Sequence, residues 1–342
     1  GESAYFMSLN RNKRSMTLNL KSETGKALFL DLIQNVDVLV ENFRPGTMER
    51  LGLGYETLKQ INPGLIYAAA SGFGQSGPYS RQPAYDGVVQ AMGGIMSITG
   101  QLGGAATRVG TSIGDIAAGL FTAVGILAAV IHRDKTGQGQ LVDVAMLDCQ
   151  VALLENAIAR YTVAGEVPGP IGNRHPSITP FEPFTTSDGQ LMVAIGNNAI
   201  WSRFCAAINN PDLASDPRFE TTALRTGNYE ELRPLIAASM AEKTTAEWVS
   251  IQKEAGVPHG PITSVDMVVT DPQVLAREMI VEVDHPVAGP TKLPGIPIKM
   301  DVTPGEINQP APLLGQHTQE ILSDILGYDA EEIARLDEEG IF

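Results

Sequence analysis

Cysteine is almost missing from this chain: Cys149 and Cys205 are the only two in 342 residues. Two thiols exclude a disulfide framework and a thiolate zinc pattern, and they point to a reducing, cytoplasmic setting. Histidine is nearly as sparse. His132, His175, His259, His285 and His317 lie far apart, with neither H-x-x-x-H nor H-E-x-x-H spacing, so no metal site is predicted. Positive charge is short as well, 24 Lys and Arg against 39 Asp and Glu for a net −15, the wrong balance for a nucleic-acid partner. No G-x-S-x-G elbow is present to anchor serine-triad hydrolysis. The longest apolar run, Ile116 to Ile131, has 16 residues rich in Gly and Ala. It reads as a buried core helix rather than a membrane span, with Ser112 and Asp115 at capping-box spacing ahead of it. No secretory signal opens the chain at Gly1-Glu2-Ser3.

What is present is 43% hydrophobic content over a length that predicts two domains. Ser15 to Leu20 alternates Met16, Leu18 and Leu20 with Thr17 and Asn19, a strand period. Ser22 can cap a helix carrying Ala27, Leu28, Leu32 and Ile33, and strands are expected at Val36–Glu41 and Leu65–Ser71. Strand and helix alternating in this way imply a parallel sheet, a Rossmann-like half. Pro168, Pro170, Pro176, Pro180 and Pro183 then mark a linker. Beyond it, a strand at Leu191–Ile195 and helices around Trp201–Ile208 and Glu230–Met240 predict a smaller α+β domain. A Pro/Gly-rich stretch, Pro286 to Pro312, precedes a last helix at Thr318–Leu326.

Among chemistry-bearing residues, Asp148 stands out. Leu141 to Met146 reads as a short strand, and a helical pattern with Val151, Leu154, Ile158 and Tyr161 follows Asp148. The position suits a helix cap and equally an active carboxylate at the carboxyl end of a strand, where α/β sheets bind ligands. Asp86 and Asp115 also stand at expected element ends, where caps and turns are common. Cys149 reads as a small core residue rather than a nucleophile. Gly72-Phe73-Gly74-Gln75-Ser76-Gly77 fits G-x-G-x-x-G, but Pro78 and Pro83 follow and no helix opens on it, which argues against nicotinamide binding. Asn10 to Ser15 is the densest basic cluster. It is either a solvated run or, with Asn42, Arg44 and Arg50 beyond the next strand, a phosphate grip.

The segments "SLNRNKRSMTLNLK", "DVLVENFRPGTMERLGLGYETLKQINPGLIYAAASGFGQSGP", "YDGVVQAMGG", "KTGQGQLVDVAMLD", "GVPHGPI" and "PLLGQHT" resemble, in order and over almost the whole chain, the class III CoA-transferases, the family of formyl-CoA transferase and carnitine CoA-transferase. The texture is nearest the dicarboxylate-using branches. The resemblance implies an α/β fold: a discontinuous Rossmann-like large domain at 1–163, a linker at 164–189, a small α+β domain at 190–270, a return linker at 271–310 and a C-terminal segment of the large domain at 311–342. It also implies a homodimer of interlocked chains. By the same resemblance Asp148 is the nucleophile, Lys13, Asn42, Phe43, Arg50 and Leu51 contact the CoA nucleotide, and Tyr85 and Asp86 line the reacting end. A CoA thioester is then a substrate, with no permanently bound cofactor, no membrane and no nucleic acid involved.

Two departures from the family pattern stand out. The strand and helix that the family carries ahead of "GESAYF" are absent from this sequence. Where formyl-CoA transferase has a glycine run, the matching loop is Gly172-Asn173-Arg174-His175-Pro176. Arg174 there can grip a second carboxylate with both arms of its fork, and His175 joins it as a substrate-binding candidate. Two alternatives accompany this reading. A 2-methylacyl-CoA racemase of the same fold would use a His where Tyr85 stands, and tyrosine is a poor base near neutral pH. The other is an inactive CoA-binding subunit.

Overall fold

The computed structural model describes residues 3–342. The chain sorts into two compact units: residues up to Gly93 with Gly110–Leu154 and Val269–Phe342, and Gly94–Val109 with Glu155–Val268.

The first unit is built on β1 (Val38–Glu41), β2 (Ile66–Ser71) and β3 (Leu141–Ala145), all parallel, with β2 in the middle. Parallel neighbours require crossovers, and here helices supply them. Ser22 starts the helix Glu23–Ile33, its Oγ accepting from the Gly25 amide at 2.9 Å. β2 is buried from Ile66 to Ala69, as a central parallel strand should be. Tyr67 and Ala69 join Ile33, Met48, Leu53 and Leu58 in one core cluster. The long helix Ile113–Thr136 crosses the sheet so closely that a Cβ on Gly125 would meet Val142 at 2.6 Å.

That helix corrects the expectation drawn from its apolar run. It has 24 residues, because Ile113 to Asp115 and His132 to Thr136 extend it at both ends, and by length and composition it is long and apolar enough to cross a membrane. Nor is it a buried core helix. The small residues Ala117, Ala118 and Ala129 are buried, whereas Ile116, Leu120, Val124, Leu127 and Ile131 form an exposed stripe at helical spacing. Small side chains allow the close approach to the sheet, and that leaves the large ones outside. Ser15–Leu20 is not a strand. Its alternation does pack Met16 and Leu18, half-buried, against Leu28, Leu322, Ile333 and Leu336, but among the described residues no strand lies beside it. Its backbone bonds go instead to His317 Nδ1, Thr318 Oγ1 and the Ile341 carbonyl.

The second unit holds an antiparallel sheet of β4 (Phe181–Thr185), β5 (Gln190–Ala194) and β6 (His259–Pro261), with β5 central. β4 falls inside the stretch expected to be linker. It is an edge strand, which tolerates Pro183 because one side of the ladder needs no donor. Trp201, Phe204, Phe219, Leu232, Ile236, Met240 and Trp248 make one continuous core under the sheet. Within it Arg225 is wholly buried, donating to the carbonyls of Thr179, Phe219 and Glu220 and to Asn198 Oδ1 and Thr222 Oγ1.

The stretch 271–310, expected as a plain return linker, carries a helix at Pro272–Ala276 and a hairpin of β7 (Ile280–His285) and β8 (Gly289–Pro294). Its prolines are compatible with a two-stranded sheet because both strands are edges. His285 Nδ1 accepts from the Val287 and Ala288 amides, closing the turn. Thr318–Leu326 is helical as predicted. A further helix, Ala330–Glu338, starts at a capping box of Asp329 and Glu332.

Candidate active site

β3 delivers Asp148 to the end of the sheet, but the helix starts earlier than the sequence suggested. It runs Met146–Leu153 with Ala145 at the N-cap, so Asp148 sits in the first turn and caps nothing. The Leu147 amide donates to the Gly72 carbonyl at 3.1 Å, fixing the helix start against the end of β2. Met146 and Cys149 are buried with Phe73, Val89, Ala117 and Ala118, which turns Asp148 outward into solvent. Its carboxylate makes no hydrogen bond or ion pair among the described residues, and the helix dipole favours a negative charge there. Burial and the neighbouring Asp148 charge push the Cys149 thiol up, so it stays protonated and is a poor nucleophile.

Two more helix starts gather beside this one. Tyr85 precedes the helix Asp86–Met92 and is largely exposed. Asp86 is buried and fully engaged: Oδ1 accepts from the Gly114 amide at 2.8 Å and Oδ2 from Gln90 Nε2 at 2.7 Å. It therefore caps the long helix from another element. The expected capping box of Ser112 and Asp115 does not form, since Ser112 makes no side-chain cap. Asp115 is left free to face a cavity of about 250 Å³ together with Tyr85, Met146, Ser71, Asn42 and Phe43. Partial burial and the Asp86 charge raise its carboxyl above the usual range.

A larger cavity, about 780 Å³, opens alongside and is lined by Arg44, Arg50, Arg81, Glu41, Tyr55 and Tyr67 among others. Arg44 lines both cavities. Asn42 Nδ2 donates to the Ala70 carbonyl and the Phe43 amide to Glu41, which sets the turn after β1 and leaves the Phe43 ring half-exposed. The glycine loop after β2 is tied to β3 because both Asp143 oxygens accept from the Gln75 amide. A Cβ on Gly72 would lie 2.3 Å from that of Ala84, so this glycine is required by close approach, not by a dinucleotide. Arg81 was missed in the sequence because it follows Pro78 in an irregular loop, with no period to place it over the strand ends.

The structure does not bring every candidate here. Leu51 packs against the Met48 and Leu53 cluster. Lys13 lines neither cavity and donates to Asn10 Oδ1 at 2.9 Å, while Arg14 pairs with Glu320 and Asp324. Asn12 anchors this basic loop, exchanging backbone and side-chain bonds with Glu306, Asn308 and Gln309. In the second unit, the Arg174 guanidinium lies 3.7 Å from the centroid of the Tyr229 ring. His175 Nδ1 accepts from the Ser177 and Ile178 amides, so that nitrogen shapes the loop instead of meeting a ligand. No group of three or more His, Cys, Asp or Glu able to hold a metal ion occurs among the described residues.

The profile of CoA-transferase family III matches residues 1–318. This chain belongs to that family. It is 38% identical over 335 residues to succinyl-CoA:glutarate CoA-transferase of Mus musculus, an alignment covering 98% of the chain and 77% of that relative. With acetyl-CoA:oxalate CoA-transferase of Acetobacter aceti it shares 42% identity over 300 residues, covering 87% and 76%. A crystal structure of a CAIB/BAIF family protein from Brucella suis superimposes with a TM-score of 0.84 at 34% identity, covering 95% of this chain and 84% of that one. The protein is a CoA-transferase, which leaves the racemase and inactive-subunit alternatives without support.

Proposed function

We propose that this CoA-transferase moves CoA from a short acyl-CoA such as succinyl-CoA to a dicarboxylic acid, through covalent intermediates on Asp148. The observation that carries the reading is an exposed carboxylate, free of any partner among the described residues, in the first turn of a helix that no side chain caps. The glutarate and oxalate named for the relatives support the dicarboxylate class. In the first step an Asp148 oxygen attacks the thioester carbonyl and the C–S bond breaks, giving a mixed anhydride and CoA thiolate. The thiolate then attacks the aspartyl carbonyl and expels the donor acid, leaving an aspartyl-CoA thioester. The acceptor carboxylate repeats these two steps in reverse order. The thioester bond is thus passed on without water, and no external oxidant or cofactor enters the balance.

In this reading the 780 Å³ cavity takes the CoA nucleotide, with Arg44, Arg50 and Arg81 meeting its phosphates and Asn42 and Phe43 at the turn between the two cavities. Lys13 and Leu51 belong to the nucleotide set only by resemblance. Tyr85 and Asp115 line the smaller cavity, where the acyl group would sit, and Asp86 holds Asp115 in place. Arg174 and His175, in the second unit, belong to the substrate set only by resemblance. A second copy of the chain, interlocked with the first as in the family, is the occupant proposed for the exposed stripe of the long helix. Free buried Cys149 and Cys205 suit a cytoplasmic setting.

The test is incubation with succinyl-CoA followed by hydroxylamine and peptide mass spectrometry. A hydroxamate on the Asp148 peptide that depends on acyl-CoA is expected. Transfer activity without any modification there would remove Asp148 as the nucleophile.

A further inference from the structure

The last residue of β2, Ser71, is 4% exposed and lines the 250 Å³ cavity of the first unit. Its backbone is held on both sides. Ser71 stands opposite Ala145 in the parallel register, and the carbonyl of the next residue, Gly72, accepts from the Leu147 amide. The side chain is held too, because Oγ accepts from the Gly74 amide at 3.0 Å. Gly74 takes a φ of +84°, a left-handed conformation suited to glycine, and the Gln75 amide after it is tied to Asp143. A hydroxyl that accepts from an amide still has its own hydrogen to give. No acceptor for that hydrogen occurs among the described residues, which leaves it to the cavity.

Other polar groups around this cavity are placed for different work. Asn42 Nδ2 is engaged by the Ala70 carbonyl. Tyr85 is 82% exposed, so water competes for its hydroxyl. Arg44 opens onto the larger cavity as well. Ser71 is the buried neutral donor, carried on a strand end that its neighbours hold still. Addition of a nucleophile to a thioester carbonyl moves negative charge onto the carbonyl oxygen. A donor already aimed and shielded from water stabilises that charge more than it stabilises the uncharged ground state. The Gly74 amide adds to the effect, because a hydroxyl that accepts one hydrogen bond gives a stronger one.

We propose that the Ser71 hydroxyl donates a hydrogen bond to the carbonyl oxygen of the acyl-CoA thioester, a bond that strengthens as charge gathers on that oxygen during attack. Gly74 is the positioning residue, through its backbone amide. The inference rests on the reading above that the smaller cavity takes the acyl group, and it names the group that meets the carbonyl there. Ser71 forms and breaks no covalent bond and keeps its proton throughout. The carbonyl oxygen takes up the C=O electron pair on addition and returns it as the C–S bond breaks.

The probe is a succinyl-CoA analogue in which a methylene replaces the thioester sulfur, so that the carbonyl is kept but cannot be cleaved, with carbon-13 at that carbonyl. Infrared difference spectra on the whole chain read its stretching band. Binding to the unsubstituted protein should move the band to lower frequency, the mark of a carbonyl polarised by a donor. Ser71→Ala should abolish most of that shift, Ser71→Thr should retain it, and Ser71→Cys, with a weaker S–H donor, should fall between them. In parallel, kcat for transfer from succinyl-CoA to glutarate should drop about a hundredfold in Ser71→Ala, the scale for one lost oxyanion donor. The KM for succinyl-CoA and the Kd of the analogue should move far less. Asp143→Ala separates donor from scaffold, since it loosens the same loop and leaves the hydroxyl in place. A shift lost equally in Asp143→Ala and Ser71→Ala makes the role structural and overturns the proposal. A shift that survives Ser71→Ala gives the carbonyl to another donor, which overturns Ser71 and leaves the acyl cavity standing. An analogue that binds the unsubstituted protein with no shift sinks the acyl cavity itself, and Ser71 with it.

Discussion

In the second unit Trp201, Phe204, Phe219 and Trp248 are each 1% exposed or less around a guanidinium whose hydrogen bonds all end inside the same unit, whereas the long helix of the first unit turns Leu120, Val124 and Leu127 outward at 62–65% exposure. One unit closes its core with its own chain. The other presents a stripe that its own chain leaves uncovered, and it is also the unit that carries Asp148, Tyr85 and both cavities. The contrast separates two jobs. A closed core can be judged by stability, and a reactive sheet end by turnover, so substitutions in the two places should move different measurements.

Asp148→Asn is the sharpest test of that separation. Transfer should fall about a thousandfold or more, the scale for removing a covalent nucleophile. The unfolding midpoint should stay put, because the side chain is exposed and makes no hydrogen bond. Arg225→Met is its mirror. Five acceptors lose their donor inside a closed core, and denaturant unfolding should show a loss of about 3–5 kcal/mol. Equal stability of that variant and the unsubstituted protein would break the description of the second unit as self-sufficient.

The exposed stripe sets the next comparison. Placing glutamates at Leu120 and Val124 removes two large apolar contacts from whatever covers the helix, about 3 kcal/mol or more of association. Sedimentation should then show a smaller species than the unsubstituted protein gives. If the two proteins sediment alike, a second copy does not cover this face.

Part of this was legible in the sequence and part was not, for separable reasons. Val38–Glu41, Ile66–Ser71 and Leu141–Ala145 announce themselves as short Val-, Ile-, Leu- and Ala-rich runs, and the central Ile66–Ser71 is the one buried along nearly its whole length. Asp148 is legible because its strand-to-helix position is local. The same locality misled at Ser15–Leu20, where alternation told which side chains face inward but not whether a neighbouring strand exists. The hairpin at Ile280–Pro294 hid among prolines that a two-stranded sheet tolerates on its outer edges. The outer face of the long helix was read as core because apolar content does not say which chain covers it. Arg174 was legible as a cation in an unusual loop, but its platform comes from Tyr229, 55 positions further on in sequence, and no local pattern links them.

The smallest expected effect concerns the long helix start, where a cap arrives from Asp86, 28 residues away from the Gly114 amide it accepts. Asp86→Asn keeps an oxygen for that amide and removes the charge. The Asp115 carboxyl, raised by burial and then by Asp86, should titrate at lower pH in the variant, and NMR of its carboxyl carbon reads this directly. The consequence for stability has a definite sign. A carboxyl whose folded value is raised binds its proton more tightly in the folded state, so it costs stability as pH climbs from its unfolded value through its folded one. That decline should be shallower in Asp86→Asn over the same window. Asp86→Ala also removes the cap, and about 1 kcal/mol should be lost at every pH. A raised value that survives Asp86→Asn would leave burial as its sole cause and would detach Asp115 from the residue that holds its helix.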